Sequence, residues 1–194
     1  MILIFFGPPG AGKGTQATFT AKELNIPHLS TGNMLRSKLL DQDDLSIKLK
    51  QIIDSGNLVS DDVINQIVAD RLILDDCKNG FILDGFPRTI AQNNFLLNFL
   101  NQYNLSISKI IDIKVNEEII VKRIQSRSNL EHREDDKDSV IKTRISRYLD
   151  ETRPLSNYYH ENYSEIYHEV DGNQKIENIQ DNILKFVKND DILS

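Results

Sequence analysis

After Met1 the chain runs through five apolar residues without interruption, ILIFF, and breaks at Gly7. A strand with one wet face alternates apolar and polar positions. An unbroken short run is what a strand buried on both faces looks like. Residues 13–24, KGTQATFTAKEL, then read as a helix. The buried-strand pattern returns in GFILDG (80–85) and in KIIDIKV (109–115). Helical stretches follow these two, at about 89–102 and 117–127. SEIYHEVDG leads into a last strand, and KIENIQDNILKFVKN reads as a last helix. Strands alternating with helices predict an α/β fold, with a parallel sheet covered on both faces and right-handed crossovers.

Two stretches interrupt this alternation. From Gly32 to Asp76 the pattern is helical throughout. In VSDDVINQIVADRLIL, Ser60 is the expected N-cap, and Asp61 and Asp62 fall in the first turn, where carboxylates favour the helix dipole. The second interruption, RSNLEHREDDKD (127–138), is polar and dense in charge. Both are candidates for mobile lobes on a rigid sheet.

Composition narrows the possibilities. A chain of 194 residues suits one domain with small insertions. A net charge of -6 argues against nucleic acid or an anionic membrane as the main partner. One cysteine, Cys77, allows no internal disulfide and no cysteine-rich zinc site, and the four histidines lack zinc-like spacing, so no zinc is expected. The five-residue run at the start is shorter than the roughly 7–15 apolar residues of a signal-peptide core and the roughly 20 of a membrane helix. A cytoplasmic protein is expected.

The segment between the first strand and first helix carries the clearest chemistry. GPPGAGKGT (7–15) follows the phosphate-loop pattern G-x-x-x-x-G-K-[ST] at Gly7, Gly12 and Lys13. It departs from it at Gly14, where a hydroxyl is expected; the hydroxyl arrives one place later, at Thr15. Glycines let backbone N–H groups turn inward toward an anion, and the helix start supplies unpaired donors. Pro8 and Pro9 carry no N–H, so the donors must come mainly from residues 10 to 15. Lys13 adds a mobile positive charge. A second anchor is DGFPR (84–88). Asp84 ends a buried strand, where phosphate-loop enzymes place an acid for Mg²⁺, and Arg88 offers a planar fork to phosphate oxygens. Of nine arginines, six lie between 123 and 153, among many acids, which argues against a nucleic-acid patch.

GPPGAGKGT resembles the G-x-P-G-x-G-K-G-T loop of the nucleoside monophosphate kinases. LSTGNMLR (29–36), GNLVSDDVI (56–64), GFILDGFPRTIAQ (80–92) and EHREDD (131–136) follow in that family's order. The resemblance covers nearly the whole chain and is strongest to the adenylate kinase family in its short-lid form. It implies a doubly wound parallel sheet of about five strands, of phosphate-loop kinase type. Two small lobes are inserted in it, a helical monophosphate-binding lobe at 30–59 and a short lid at 124–136. The implied reaction is reversible phosphoryl transfer from ATP to AMP, with Mg²⁺, by a monomer.

Residue by residue, the resemblance puts Gly10, Ala11, Gly12, Lys13, Gly14 and Thr15 at ATP. Arg123 and Arg127 join them at the ATP phosphates, with Gly172 and Gln174. It puts Thr31, Arg36, Gln92 and the stretch Asn57, Leu58, Val59 at AMP, with Gly85, Phe86, Pro87 and Arg88. Arg133 and Arg144 would reach the phosphates in transit from the lid side, also touching AMP, and Asp84 would serve Mg²⁺ through water. Lys13, Arg88, Arg123, Arg127, Arg133 and Arg144 form the implied catalytic set. Asp135 and Asp136 are expected to hinge the lid or orient its arginines. Thr31 and Gln92 favour AMP over UMP or CMP, whose kinases usually carry Ala and Asn there. Asn33 stands where the family usually has Asp, and His132 where short-lid members usually have Gly; the first bears on support for Mg²⁺, the second on the lid backbone. Two other functions compete: a UMP/CMP kinase on the same scaffold, and a nucleotide-driven switch, which would not need GFPRTIAQ or the arginine-dense lid. Arg71, Arg147 and Arg153 are expected to be surface or salt-bridge residues.

Overall fold

A computed structural model describes residues 1–41, 44–55, 57–131 and 138–189. At its centre lies β1 (Ile2–Phe6), flanked by β3 (Phe81–Asp84) on one side and β4 (Lys109–Lys114) on the other. Beyond them lie β2 (His28–Ser30) and β5 (Tyr167–Asp171), and the order β2-β3-β1-β4-β5 is parallel throughout. The helices are α1 (Lys13–Leu24), α2 (Thr31–Lys38), α3 (Asp44–Asp54), α4 (Asp61–Leu72), α5 (Ile90–Gln102), α6 (Glu117–Glu131), α7 (Asp138–Arg147), α8 (Arg153–Asn162) and α9 (Ile176–Lys188).

The unbroken apolar run of β1 serves two cores at once, because successive side chains leave a strand on opposite faces. Ile2, Ile4 and Phe6 pack with Ile64 and Val68 of α4, Leu96 and Leu100 of α5, and Leu155 and Tyr159 of α8. Leu3 and Phe5 pack with Ala17 and Ala21 of α1 and with Ile179, Ile183 and Val187 of α9. Among the buried polar side chains is a charged one, Asp112 of β4, which is fully enclosed. Its Oδ2 accepts from Ser156, from the Tyr167 hydroxyl at 2.6 Å and from Lys114 Nζ at 2.5 Å, which offset the cost of burying the charge, while Oδ1 has no hydrogen-bond partner among the described residues. The register pairs Phe5 with Asp84 and Phe6 with Asp112, so β1 and β3 end within a residue of each other, and β4 runs two residues further to Lys114. The chain winds outward from β1 in both directions, and the crevice at the carboxyl ends of such strands is where open α/β sheets bind ligands.

Four details differ from the sequence pattern. The strand β2 has only three residues, one of them apolar, and forms because His28 and Ser30 pair with Ile82 and Asp84. Ser60 precedes α4, but its side chain makes no capping hydrogen bond. Helix α6 extends to Glu131, past the Arg127 where its pattern fades. Between α7 and α8 the turn widens into a π-helix, Tyr148–Thr152. Pro154 follows at the start of α8; without an N–H it cannot close a regular helical turn onto the preceding residues.

Candidate active site

The phosphate-loop segment leaves β1 and enters α1 through three residues with positive φ: Gly7 at 139°, Gly10 at 79° and Gly12 at 94°. L side chains rarely adopt that backbone, and two of the positions are also crowded. A Cβ on Gly7 would lie 2.7 Å from the Ile113 carbonyl oxygen, and one on Gly10 would lie 2.8 Å from Ile124 Cγ1. Ala11 turns its N–H into the loop, onto the Pro8 carbonyl at 3.1 Å. Lys13 folds back over the loop: Nζ donates to the Gly7 and Pro8 carbonyls at 2.7 and 2.9 Å. Burial pushes its pKa down to about 8; Asp84 opposes this, while the charges of Arg88, Arg144 and Arg127 add to it. Four cationic side chains therefore share one neighbourhood around one carboxylate, a charge distribution suited to a polyanion.

Asp84 comes to this place because β3 ends beside β1. It is 9% exposed. Burial raises its pKa, but the His28 hydrogen bond and the charges of Lys13, His28 and Arg88 outweigh burial and hold it below the usual carboxylate range. His28 Nε2 donates to Asp84 Oδ2 at 3.2 Å, since an ionised carboxylate only accepts. On its other side His28 Nδ1 lies 3.2 Å from the Thr18 hydroxyl, which donates to the Gly14 carbonyl at 2.8 Å. A Cβ at Gly14 would point at Asp84 Oδ2 from 3.5 Å. The glycine thus leaves open the space between the loop and the acid.

The other half of the site is built from β2, α2 and the β3–α5 connection. Thr31 Oγ1 donates to the Gly85 carbonyl at 2.9 Å, tying the start of α2 to the end of β3. Gly85 has φ 79°, and a Cβ there would lie 2.8 Å from Thr31 Oγ1 and 2.9 Å from Arg88 Nη2. Arg88 Nε donates to the Gly85 carbonyl at 2.8 Å. Gln92 accepts from Arg88 N at 2.7 Å and donates to Asp61 Oδ1 at 2.8 Å. In α2, Arg36 Nη2 donates to Asn33 Oδ1 at 2.7 Å, so the residue at the departure position holds a guanidinium.

A cavity of about 1020 Å³ joins the two halves. Residues Gly10 to Thr15 line it, with Asp84, Arg88, Arg123, Arg127 and Arg144. So do Thr31, Arg36, Asn57, Leu58, Val59, Gly85, Pro87 and Gln92. Three predicted residues stand apart from its wall. Phe86 is 1% exposed and packs in the core. Gly172 binds Lys114 O through its N–H at 2.8 Å, and a Cβ there would lie 2.5 Å from Ile113 Cγ2. Gln174 donates to Asp171 Oδ2 at 3.3 Å. Arg123 lines the cavity but spends its fork on backbone, donating to Ala11 O at 3.3 Å and Gly172 O at 2.8 Å. It thereby ties the loop to the end of β5. His132, Arg133, Asp135 and Asp136 lie outside the described residues.

Sequence reasoning passed over three residues here. His28 carries a signal only once β2 is recognised, because the pairing with β3 puts it on the side of Asp84. Asp61, assigned only to the helix dipole, holds Gln92. Arg147, expected at the surface, lines the cavity and donates from Nε and Nη2 to Asn57 Oδ1 at 3.2 and 3.1 Å, and from Nη1 to Glu151 at 3.0 Å. Arg71 behaves as expected, pairing with Asp76 at 2.5 Å.

A model of the adenylate kinase family matches residues 5–164. The chain is 44% identical over 165 residues to the adenylate kinase of Brucella melitensis biotype 1, covering 82% of this chain and 85% of that protein. The adenylate kinases of Brucella ovis and Brucella abortus are similar to it by the same measures. Loop, strand-end acid and arginine cluster lie within the matched stretch. The chain belongs to the adenylate kinase family: it is a phosphotransferase that moves the terminal phosphoryl group of ATP to AMP and gives two ADP.

Proposed function

We propose that the donor nucleotide binds over the loop at residues 10–15 and AMP binds in the helical lobe at 30–59, with the phosphoryl group crossing the shared cavity between them. The observation that carries this reading is the single cavity, which joins a phosphate loop to a second arginine-bearing pocket at Arg36 and Arg88. A hydrolytic switch needs no such second pocket. Lys13, Arg88, Arg123, Arg127, Arg133 and Arg144 neutralise and position the phosphates. This is the main task in phosphoryl transfer, where negative charge spreads over the equatorial oxygens. In the described structure Arg123 would have to release its backbone carbonyls, or act by holding loop and β5 together. Gly172 and Gln174 act on the ATP side through the loop after β5. The acceptor is an ionised phosphate, so no base is needed to activate it. The lid at 124–136 closes over the nucleotides, excludes water and protects the phosphoryl group from hydrolysis.

Magnesium fits the residues present. Among the described residues no three His, Cys, Asp or Glu side chains converge to cage a metal, and one carboxylate, Asp84, faces the loop mouth. Mg²⁺ keeps much of its water and is commonly held by one or two carboxylates together with substrate phosphates. Asp84 would hold it through water, and the ion would supply charge neutralisation on the donor phosphates. Among the described residues no helix is long and apolar enough to cross a membrane. We read the chain as a cytoplasmic monomer of purine salvage, with nucleotides rather than nucleic acid or lipid as partners.

The test is ADP formation from MgATP with AMP, CMP, UMP, GMP or no acceptor. AMP is expected to give the highest kcat/KM. Faster turnover with UMP or CMP would sink the base assignment, and equal ADP formation without an acceptor would sink transfer between two nucleotides.

The depressed Lys13 pKa gives a second expected result. A phosphate chain beside the amine raises its pKa above about 8, so ATP binding at pH 8.5 takes up protons. Calorimetric titrations in buffers of different ionisation enthalpy measure this uptake. Lys13→Met should abolish it; unchanged uptake in that variant would assign the proton to another group.

A further inference from the structure

We infer that Asp61 determines which purine the acceptor site takes, by fixing the rotation of the Gln92 amide. The inference rests on the reading that Gln92 faces the base of the acceptor nucleotide. Gln92 is 2% exposed and lines the large cavity. Behind it, Asp61 and Thr89 line a second cavity of about 370 Å³.

Two bonds of opposite character hold the Gln92 amide. Its Nε2 donates to Asp61 Oδ1 at 2.8 Å, and its Oε1 accepts from the Arg88 backbone N–H at 2.7 Å. A carboxylate only accepts and a backbone N–H only donates. Rotating the amide by half a turn would set oxygen against carboxylate and NH₂ against N–H. The network therefore assigns one orientation, as amide orientation must be assigned. Asp61 is itself held: the Thr89 hydroxyl donates to both of its oxygens at 3.1 Å. Thr89 keeps a lone pair for the Gln92 backbone N–H, at 3.1 Å, and so caps α5. In a capping box the Gln at this position reaches back to the cap residue's own N–H. Here it reaches one residue further, to Arg88, and its nitrogen is left for Asp61.

Held this way, Gln92 keeps one N–H and one carbonyl lone pair for a ligand, in a fixed order. The adenine edge offers an acceptor at N1 beside a donor at N6. Hypoxanthine and guanine offer a donor at N1 beside an acceptor at O6, the same pair reversed. An amide free to rotate would serve both edges. A locked amide serves one and meets the other with two mismatched contacts. Asp61 is thus a positioning residue that converts a general purine contact into adenine selectivity.

The experiment compares kcat/KM for AMP and IMP, which differ at this edge and carry no additional group on the base, in the full-length protein. Asp61→Asn can donate or accept, so it lifts one of the two constraints against the reversed Gln92 orientation and leaves the Arg88 N–H as the weaker remaining one. Its IMP:AMP ratio is expected to rise about tenfold through the KM of the monophosphate, the scale of one hydrogen bond's mismatch, with KM for ATP unchanged. Asp61→Ala, which removes the acceptor altogether, should move the ratio the same way, so the outcome does not depend on one variant folding. Asp61→Glu, which keeps an acceptor, should restore a ratio close to the parent's. Gln92→Leu separates the two levels of inference, and is expected to collapse the discrimination. If it does so while Asp61→Asn and Asp61→Ala leave the ratio unchanged, the lock is overturned and the base contact stands. If Gln92→Leu also leaves the ratio unchanged, Gln92 does not read the base and both ideas fall.

Discussion

Lys13→Met is expected to lower kcat about 10²–10³-fold, the cost of removing one preorganised positive partner of developing charge. Methionine keeps the length and the apolar stem and removes the charge. Lys13 Nζ occupies the loop, donating to the Gly7 and Pro8 carbonyls, with Asp84 and three arginines near enough to shift its pKa. A phosphate entering that loop offers the amine stronger, charged acceptors than the two carbonyls, and so draws it forward with the transferring group. The folded state tolerates the lysine poorly. Its folded pKa, about 8, lies below the unfolded value of 10.5, so the unfolded chain binds more protons between these limits. The cost of keeping the ammonium buried is complete below about pH 8 and disappears as pH rises through 10.5. Lys13→Met should therefore melt no lower than the parent at pH 7, and any stability advantage should shrink above pH 8. Steady-state kinetics and thermal melts across that range test both halves. A kcat within a few-fold of the parent would remove Lys13 from the transfer step.

The features legible along the chain were those whose cause is local. ILIFF announces a doubly covered strand because each of its residues must be apolar in that environment. Gly7, Gly12 and Lys13 announce a phosphate loop because the turn depends on backbone freedom at fixed spacing. The strand β2 was not legible: HLS has no periodicity to detect, and it becomes a strand only where β3 supplies the pairing. The same holds for the residues that complete the site. His28 meets Asp84 across 56 positions, Asp61 meets Gln92 across 31, and Arg147 meets Asn57 across 90. Each has an ordinary local explanation, and each acquires its role from a partner that only the folded sheet brings near. Gly14 lies between these cases. Its place in the loop pattern was visible as an irregularity, but its physical consequence, an open space facing Asp84, required the position of β3.

Arg88→Ala is expected to reduce kcat/KM for AMP about 10²–10³-fold while changing KM for ATP little. That asymmetry separates it from Lys13→Met. Arg88 stands on the connection after β3, where its Nε binds the Gly85 carbonyl at 2.8 Å and so directs the guanidinium. Gly85 makes room for it, since any Cβ there would lie 2.9 Å from Nη2. The backbone N–H of Arg88 also holds Gln92, and alanine preserves that bond. The loss on truncation should therefore fall on the acceptor's phosphate and leave its base contacts in place. Two measurements check this. The IMP:AMP ratio should stay at the parent value in Arg88→Ala, unlike in the Asp61 variants. Arg88→Lys should recover only part of the rate, because an ammonium returns the charge without the planar fork that grips two phosphate oxygens together. Full recovery by lysine would mean that charge alone matters at this position. An unchanged kcat/KM for AMP in the alanine variant would take Arg88 out of the acceptor site and leave Arg36 as the candidate for the phosphate clamp.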